Sequence, residues 1–265
     1  MNKGTLFIVA TPIGNLKDMT FRAVETLKEV DLIACEDTRV TRVLLDHYQI
    51  KKPTISYHQH SKITKIDQII DKLKSGENIA VVTDAGTPGV SDPASYLVQK
   101  IREYNQLCHP RSSRGSNDCI DPQGFGLRPS AKAEPGDDKE DIKIIPIPGP
   151  SALAASVSVS GLINKDFYFA GFLPRKKGRQ TELKKLAALK TPVVIYEAAN
   201  RIEKTLTELK EYFGDEAQVF IAREMTKKFE EYKLNKIDNA ILGLKDIVMK
   251  GEFVLIVKSS PACKS

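Results

Sequence analysis

The most constraining stretch of the chain is residues 79–93, where an apolar run ends in a loop rich in glycine and proline. Residues 79–82 are apolar without alternation, which is typical of a parallel strand covered on both faces. After the loop, Asp92 and Pro93 predict the start of a helix. In an open parallel sheet, ligands bind beyond the carboxyl ends of the strands, so this loop is a candidate ligand site. An ordinary strand-to-helix connection is the alternative, because glycine and proline occur in most loops.

Similar apolar runs alternate with segments of helical periodicity along the rest of the chain. Strands are predicted at residues 5–10, 31–36, 53–57, 79–82, 167–173, 192–197, 217–224 and 251–257, with a proline-containing edge strand from residue 143. Strands separated by helices indicate an α/β architecture. We expect two α/β domains, 1–147 and 148–265, with a ligand cleft between them.

Two predicted helices have an apolar stripe, and the stripe of the second is the clearer one. The helix after the first loop carries Phe21, Val24, Leu27 and Val30 at helical spacing. The helix over residues 61–75 has isoleucines and a leucine along one face and charged residues along the other.

Residues 105–141 have a different character, with several prolines and glycines and no apolar periodicity. A structureless segment of this length is uncommon inside a compact domain, so we expect a mobile insertion whose role the sequence leaves open. Within it, Cys108, His109 and Cys119 lack the spacing of a zinc site, and we interpret them as incidental. A pair of histidines, His58 and His60, has no evident third ligand, and we predict no metal.

Composition narrows the class of protein. The chain has 265 residues, of which 41% are hydrophobic and 28% charged, as in soluble globular proteins. The N-terminus leads directly into a strand without a signal peptide, and four widely spaced cysteines are typical of cytosolic thiols, so we expect a cytoplasmic protein. A net charge of +6 favours a polyanionic partner such as nucleic acid without establishing one. The first loop lacks the G-x-G-x-x-G pattern, and a dinucleotide site is unsupported.

Charged side chains collect at several predicted strand ends. Glu36, Asp37 and Arg39 follow the second strand, where active sites form, although Asp37 is also suited to cap the next helix. Arg223 and Lys227 follow a later strand and are second candidates. The densest basic cluster of the chain follows the strand at 167–173 and comprises Arg175, Lys176, Lys177 and Arg179.

Six ordered motifs together resemble the tetrapyrrole methylase superfamily. They are Ala-Thr-Pro-Ile-Gly-Asn-Leu at 10–16, Cys-Glu-Asp-Thr-Arg at 35–39, Asp-Ala-Gly-Thr-Pro-Gly-Val-Ser-Asp-Pro at 84–93, Pro-Ile-Pro-Gly-Pro-Ser-Ala at 146–152, Gly-Phe-Leu-Pro-Arg-Lys-Lys-Gly-Arg at 171–179 and Ala-Arg-Glu-Met-Thr-Lys at 222–227. The last two are similar to members that methylate a ribose 2′-hydroxyl of a decoding-centre cytidine in 16S rRNA. The resemblance covers essentially the whole chain apart from 105–141.

This resemblance implies a homodimer that binds S-adenosylmethionine in a deep cleft between two α/β domains. Cofactor contacts implied by position are Pro12, Ala85, Gly86, Thr87, Val90, Ser151, Ala152 and Glu197. Asp37 or Glu36 would deprotonate or orient the ribose, and Arg39 would hold the RNA backbone. The basic cluster at 175–179 would contact 16S rRNA in the small ribosomal subunit or its precursor.

Two departures from the family pattern concern the cofactor wall and the end of the chain. Residues 196–201 read Tyr-Glu-Ala-Ala-Asn-Arg where the family has Tyr-Glu-Ser-Pro-His-Arg, and a C-terminal segment carried by many relatives does not follow the last strand. Two other functions stay open: methylation of a tetrapyrrole or of a protein side chain by the same fold, and RNA binding without catalysis.

Overall fold

The computed structural model describes residues 2–57, 63–108, 141–246 and 248–259. The strands are β1 Thr5–Val9, β2 Leu32–Cys35, β3 Thr54–Ser56, β4 Ile79–Val82, β5 Lys143–Ile147, β6 Tyr168–Phe172, β7 Val193–Ala198, β8 Gln218–Arg223, β9 Glu231–Lys236 and β10 Glu252–Lys258. The helices are α1 Phe21–Glu29, α2 Thr38–His47, α3 Ile63–Lys74, α4 Ala94–Cys108, α5 Ala152–Ser160, α6 Arg179–Ala188, α7 Ile202–Phe213 and α8 Ile237–Leu242. Among the residues so described, none of the helices has the length and apolarity to cross a membrane.

The first five strands form a parallel sheet in the order β3-β2-β4-β1-β5. Every residue of the central strand β4 is buried, as its uninterrupted apolar sequence predicts. Helices α1 and α2 pack on one face of the sheet, and α3 and α4 pack on the other. Strand β5 contains Pro146 and lies at the edge, because proline has no N–H to donate to a further strand.

The last five strands form a mixed sheet in the order β6-β7-β10-β8-β9, in which only β6 and β7 are parallel. Alternating side chains of each strand face opposite sides, so Ile195 packs with α6, α7 and α8, whereas Val194 faces α5. Ile13, from the first loop of the chain, belongs to the same apolar cluster as Val194. The loop after β1 therefore packs against the second sheet and α5, and the α/β architecture is confirmed.

Some predictions for the helices need correction. Phe21, assigned to the buried stripe of the first helix, is 89% exposed, because it begins α1 rather than facing the sheet. Helix α4 continues to Cys108, so the first four residues of the predicted insertion are helical. The remainder of that segment, with His109 and Cys119, lies outside the described residues, and so do His58 and His60.

Strand β9 and helix α8 were not predicted. The apolar side chains of β9 are Tyr232 and Leu234, which are 44% and 46% exposed, and β9 is an edge strand. Its inward-facing positions are polar and only partly buried. The buried apolar positions that identify a strand in a sequence are therefore missing from this segment.

Candidate functional site

Three loops from the first sheet meet at the carboxyl ends of its strands. Strands β1 and β4 are neighbours, and the loops after them are joined by two backbone hydrogen bonds: the N–H of Thr11 donates to the Gly86 carbonyl at 2.9 Å, and the N–H of Gly86 donates to the Thr11 carbonyl at 3.1 Å. The hydroxyl of Thr87 donates to the carbonyl of Pro150 at 3.0 Å, which joins the loop after β5. The turns around Pro12, Gly86 and Ser151 therefore form one connected assembly.

Gly86 is at the centre of this assembly, and its conformation explains why it is glycine. Its φ of +86° lies in the left-handed region, which costs other L-residues about 1–2 kcal/mol. A Cβ at this position would lie 3.4 Å from Cγ2 of Ile13 and 3.8 Å from the Pro150 carbonyl oxygen, which is ordinary contact. Backbone conformation, rather than lack of space, therefore favours glycine here.

A cavity of about 390 Å³ lies between the two sheets, beside these loops. Its volume is within the range of small-molecule sites. The first half and the start of α5 line it through Ile13, Glu36, residues 83–87, residues 90–92, Ser151 and Ala152. The second half contributes Phe172, residues 196–198, Ala222, Glu224, Met225, Lys227 and residues 251–254. Of the residues predicted to hold a cofactor, Ala85, Gly86, Thr87, Val90, Ser151, Ala152 and Glu197 line this cavity.

Two predicted cofactor contacts need a different description. Pro12 is buried between Thr11 and Ile13 and is not part of the cavity lining, although Ile13 is. Glu197 borders the cavity, but its side chain is fully buried and its carboxylate accepts hydrogen bonds from the Thr205 hydroxyl at 2.7 Å and the Ala198 N–H at 2.9 Å. The carboxylate is therefore unavailable to a ligand, because the pleat of β7 directs it toward α7.

Asp37 caps α2 rather than lining the cavity. Its carboxylate accepts hydrogen bonds from the N–H of Arg39 at 2.8 Å and from the Arg39 guanidinium at 2.6 Å. The side-chain hydrogen bond with Arg39, followed by the backbone bond, lowers the pKa of Asp37 to about 2. Such a carboxylate is a weak base. The Arg39 side chain is 89% exposed, so the pair lies on the protein surface and organises the loop.

Glu36 is the member of the 36–39 motif that reaches the cavity. Its carboxylate accepts a hydrogen bond from the Thr83 hydroxyl at 2.9 Å, which links the ends of β2 and β4. Sequence reasoning could not choose between Glu36 and Asp37. Their separation follows from the start of α2, which takes Asp37 as its N-terminal cap.

The charged side chains of the cavity are mainly acidic. Besides Glu36, the lining contains the carboxylates of Asp84, Asp92, Glu224 and Glu252, and Lys227 is the cation among the described lining residues. Negative groups concentrated in a concave, partly buried site attract cations and repel anions. The cavity is therefore suited to a ligand that carries positive charge.

The loop after β8 brings Lys227 against the first half. The ammonium of Lys227 donates to Glu224 at 2.8 Å and to Glu252 at 3.2 Å. Burial opposes the charge of Lys227, but these two carboxylates outweigh it and raise the pKa of Lys227. A Cβ on Gly14 would lie 2.4 Å from Cγ of Lys227. Lys227 therefore closes the cavity as a paired cation.

Arg223, the other alternative candidate for an active-site residue, lies in a partly buried ion pair. Its side chain is 7% exposed, and its guanidinium donates to Glu231 at 2.9 Å and to the Lys250 carbonyl at 3.1 Å. It is not among the cavity-lining residues.

The basic cluster divides into exposed and buried members. Arg175, Lys176 and Lys177 are exposed in the loop between β6 and α6. Arg179 is only 4% exposed, and its guanidinium donates to Glu208 and to the Thr205 hydroxyl, each at 2.7 Å. The expectation that Arg179 contacts RNA is therefore wrong, because the start of α6 turns this side chain into the core.

Comparison with known proteins agrees with this architecture. The model of the tetrapyrrole (corrin/porphyrin) methylases matches residues 5–108 and 121–241. Ribosomal RNA small subunit methyltransferase I of Synechocystis sp. is 42% identical over 255 residues, which cover 96% of this chain and 78% of that protein. The chain belongs to the ribosomal RNA small subunit methyltransferase I family. The Thermotoga maritima member is 39% identical and is covered over 98% of its length, with 96% of this chain aligned.

Solved structures of more distant relatives share the fold. The methyltransferase CobJ superposes with a TM-score of 0.62 at 16% identity, over 97% of this chain and 95% of its own. Uroporphyrin-III C-methyltransferase from Thermus thermophilus, complexed with S-adenyl homocysteine, superposes with a TM-score of 0.58 at 13% identity, over 96% and 97% of the two chains. Both are methyltransferases of the two-sheet architecture that this family adopts.

Proposed function

We propose that this protein transfers a methyl group from S-adenosylmethionine to small-subunit rRNA, at the ribose 2′-hydroxyl of a cytidine in the decoding centre. The observation that carries the proposal is the acidic cavity at which the 11–16, 83–93 and 148–152 loops converge. Membership of a family whose relatives are named ribosomal RNA small subunit methyltransferase I supports the substrate class.

The lining residues fit S-adenosylmethionine in size and charge. The molecule is a net cation, because its sulfonium and ammonium outnumber its single carboxylate, and this net charge matches the carboxylates that border the cavity. Residues 84–87 and Ser151 with Ala152 would hold it through backbone groups and small side chains, and Phe172 and Met225 offer apolar surface. When bound, it supplies a methyl carbon on a charged sulfur that leaves as a neutral thioether.

Glu36 is the residue best placed to act on the acceptor. A ribose hydroxyl is a weak acid, so a base within hydrogen-bond reach assists its attack. We assign this role to Glu36, held in place by Thr83, instead of Asp37. The Glu36 carboxylate would take the proton of the acceptor hydroxyl as that oxygen attacks. Asp37 fixes the start of α2 and positions Arg39, whose exposed guanidinium would contact the RNA backbone.

The exposed basic loop is the proposed RNA contact outside the cavity. Arg175, Lys176 and Lys177 carry three positive charges between β6 and α6. Cations of this kind bind phosphates through a salt-dependent, sequence-independent term. The deep cavity is acidic, so phosphates would remain outside it. An rRNA substrate also implies the cytoplasm as the place of action.

A homodimer is part of the same proposal. Among the described strands β9 lies at the edge of its sheet, where Tyr232 and Leu234 are exposed, and Phe229 nearby is 67% exposed. Exposed edges of this kind pair readily with a second chain. Sedimentation equilibrium should give a dimer for the wild type and a monomer for Leu234→Lys, whereas a wild-type monomer would contradict this part of the proposal.

Methylation mapping tests the function directly. Small ribosomal subunits from cells lacking this protein are incubated with it and S-adenosylmethionine, and methylated riboses are located by primer extension at low nucleotide concentration. A single new stop at a decoding-centre cytidine is expected. Transfer to a tetrapyrrole or a protein instead, or cofactor-free RNA binding, would each overturn the assignment.

A further inference from the structure

A second cavity adjoins the first. It has a volume of about 370 Å³ and is lined by Glu36, residues 89–93 and Ser95. Glu36, Val90, Ser91 and Asp92 border both cavities. Two carboxylates, one apolar residue and one serine therefore lie between two spaces, each of a size that suits a small-molecule site.

The lining of the second cavity is polar, and several of its polar groups form hydrogen bonds within the loop and the start of α4. The carboxylate of Asp92 accepts hydrogen bonds from the N–H groups of Gly89 and Ala94, both at 2.8 Å. The Ser95 hydroxyl donates to the Asp92 carbonyl at 3.3 Å. Because Asp92 fixes both the loop and the start of α4, these groups hold their positions without a ligand.

Its charge selects against phosphate. Glu36 and Asp92 are the charged side chains of the described lining, and none of its residues is a lysine or an arginine. A phosphate in this space would face two carboxylates without a cation, which is unfavourable. An uncharged ligand with hydroxyl groups would avoid that repulsion and find hydrogen-bonding partners.

Tyr57 lines neither cavity, but its buried hydroxyl is influenced by the same carboxylates. The Tyr57 side chain is 1% exposed, and its oxygen has no hydrogen-bond partner among the described residues. Burial raises the pKa of Tyr57, and the charges of Asp92 and Glu36 act in the same direction. Tyr57 therefore keeps a neutral hydroxyl, because both burial and these carboxylates oppose its ionisation.

We infer that the second cavity receives the uncharged ribose and base of the acceptor nucleotide, while its phosphates stay outside. This inference rests on the proposed methyl transfer to RNA and assigns the two substrates to separate spaces. Glu36, on the boundary, would then face the methyl donor on one side and the acceptor hydroxyl on the other. Gly89, Pro93 and Ser95 line the second cavity and not the first, and of these three Ser95 carries a polar side chain.

Filling the second cavity tests the inference. In Ser95→Leu a larger apolar side chain would occupy the acceptor space, and Gln99→Leu, one turn further along α4 and outside both cavities, is the matched control. Calorimetry measures S-adenosylmethionine binding, and initial rates of methyl transfer to small subunits give kcat and KM. We expect unchanged cofactor affinity for both variants and a loss of kcat/KM of about a hundredfold for Ser95→Leu alone, as displacement of a reactant by about 1 Å can produce.

Two further measurements separate the possible results. Ser95→Thr, which fills less space, should lose less activity than Ser95→Leu, and thermal unfolding checks that both variants fold. If the wild type methylates RNA and Ser95→Leu does so at the same rate, the assignment of the acceptor to the second cavity is wrong, but the proposed function stands. A wild type that methylates no RNA would overturn the proposed function, and the inference with it.

Discussion

Replacing Glu36 by glutamine is the change that most sharply separates the residues of the 36–39 motif. Glutamine has the same shape and retains an oxygen that can accept the Thr83 hydroxyl, now at 2.9 Å, so the loop should keep its geometry. The amide cannot take a proton, and loss of a general base costs about 10² to 10⁴ in rate. This corresponds to about 2.7 to 5.4 kcal/mol in the activation free energy.

The assay is single-turnover methyl transfer to small ribosomal subunits, with cofactor affinity measured separately by calorimetry. Affinity should change much less than rate, because the carboxylates of Asp84, Asp92, Glu224 and Glu252 still line the cavity. Asp37→Asn is the matched control: asparagine is as good an N-terminal cap as aspartate, and an exposed ion pair contributes little. Its rate should stay close to that of the wild type.

The opposite pattern would refute the reasoning. If Glu36→Gln retained its rate while Asp37→Asn lost it, the capping carboxylate would be the functional one. If both variants retained wild-type rates, the motif would have only a structural role and alignment of the substrates would account for the catalysis.

Three other predictions concern stability and RNA binding. The folded-state pKa of Asp37 is lowered to about 2 from 3.8, so its charge stabilises the fold above pH 3.8. Because the ion pair with Arg39 is exposed, the difference in melting temperature between the wild type and Asp37→Asn should be small at neutral pH and should vanish as the pH falls toward 2. Replacing Arg175, Lys176 and Lys177 by glutamine should make the slope of log K against log salt shallower by about 2 to 3, and an unchanged slope in filter binding would exclude the loop. Arg179→Ala leaves Glu208 without its buried partner and should lower the free energy of unfolding by about 3–5 kcal/mol, as measured by urea denaturation, without altering that salt slope.

Much of the fold can be predicted from local patterns in the sequence. The apolar run at 79–82 predicts a buried parallel strand, and β4 is central with all four residues buried. Pro146 predicts an edge strand, and β5 lies at the edge. These features depend on short-range rules: the pleat of a strand, the missing N–H of proline, and the need to bury apolar side chains.

What the sequence could not supply is the direction of individual side chains. Glu197 and Arg179 match motif positions. The Glu197 carboxylate and the Arg179 guanidinium nevertheless both form buried hydrogen bonds with the Thr205 hydroxyl. Asp37 and Glu36 are adjacent, but only Glu36 borders the cavity. The direction of each side chain depends on the twist of the sheet and on the first turn of the helix, and both are set by the tertiary structure.

The central claim is that the cavity beside Gly86 binds S-adenosylmethionine, and one titration tests it most directly. Gly86 and Gly161 both have a left-handed φ, of +86° and +66° respectively. Gly86 lines the cavity. Gly161 instead ends α5, and a Cβ added there would have no neighbour within 4 Å. Alanine at either position introduces similar backbone strain. Calorimetry should give wild-type S-adenosylmethionine affinity for Gly161→Ala and clearly weaker binding for Gly86→Ala, and equal affinities for the two variants would contradict the account.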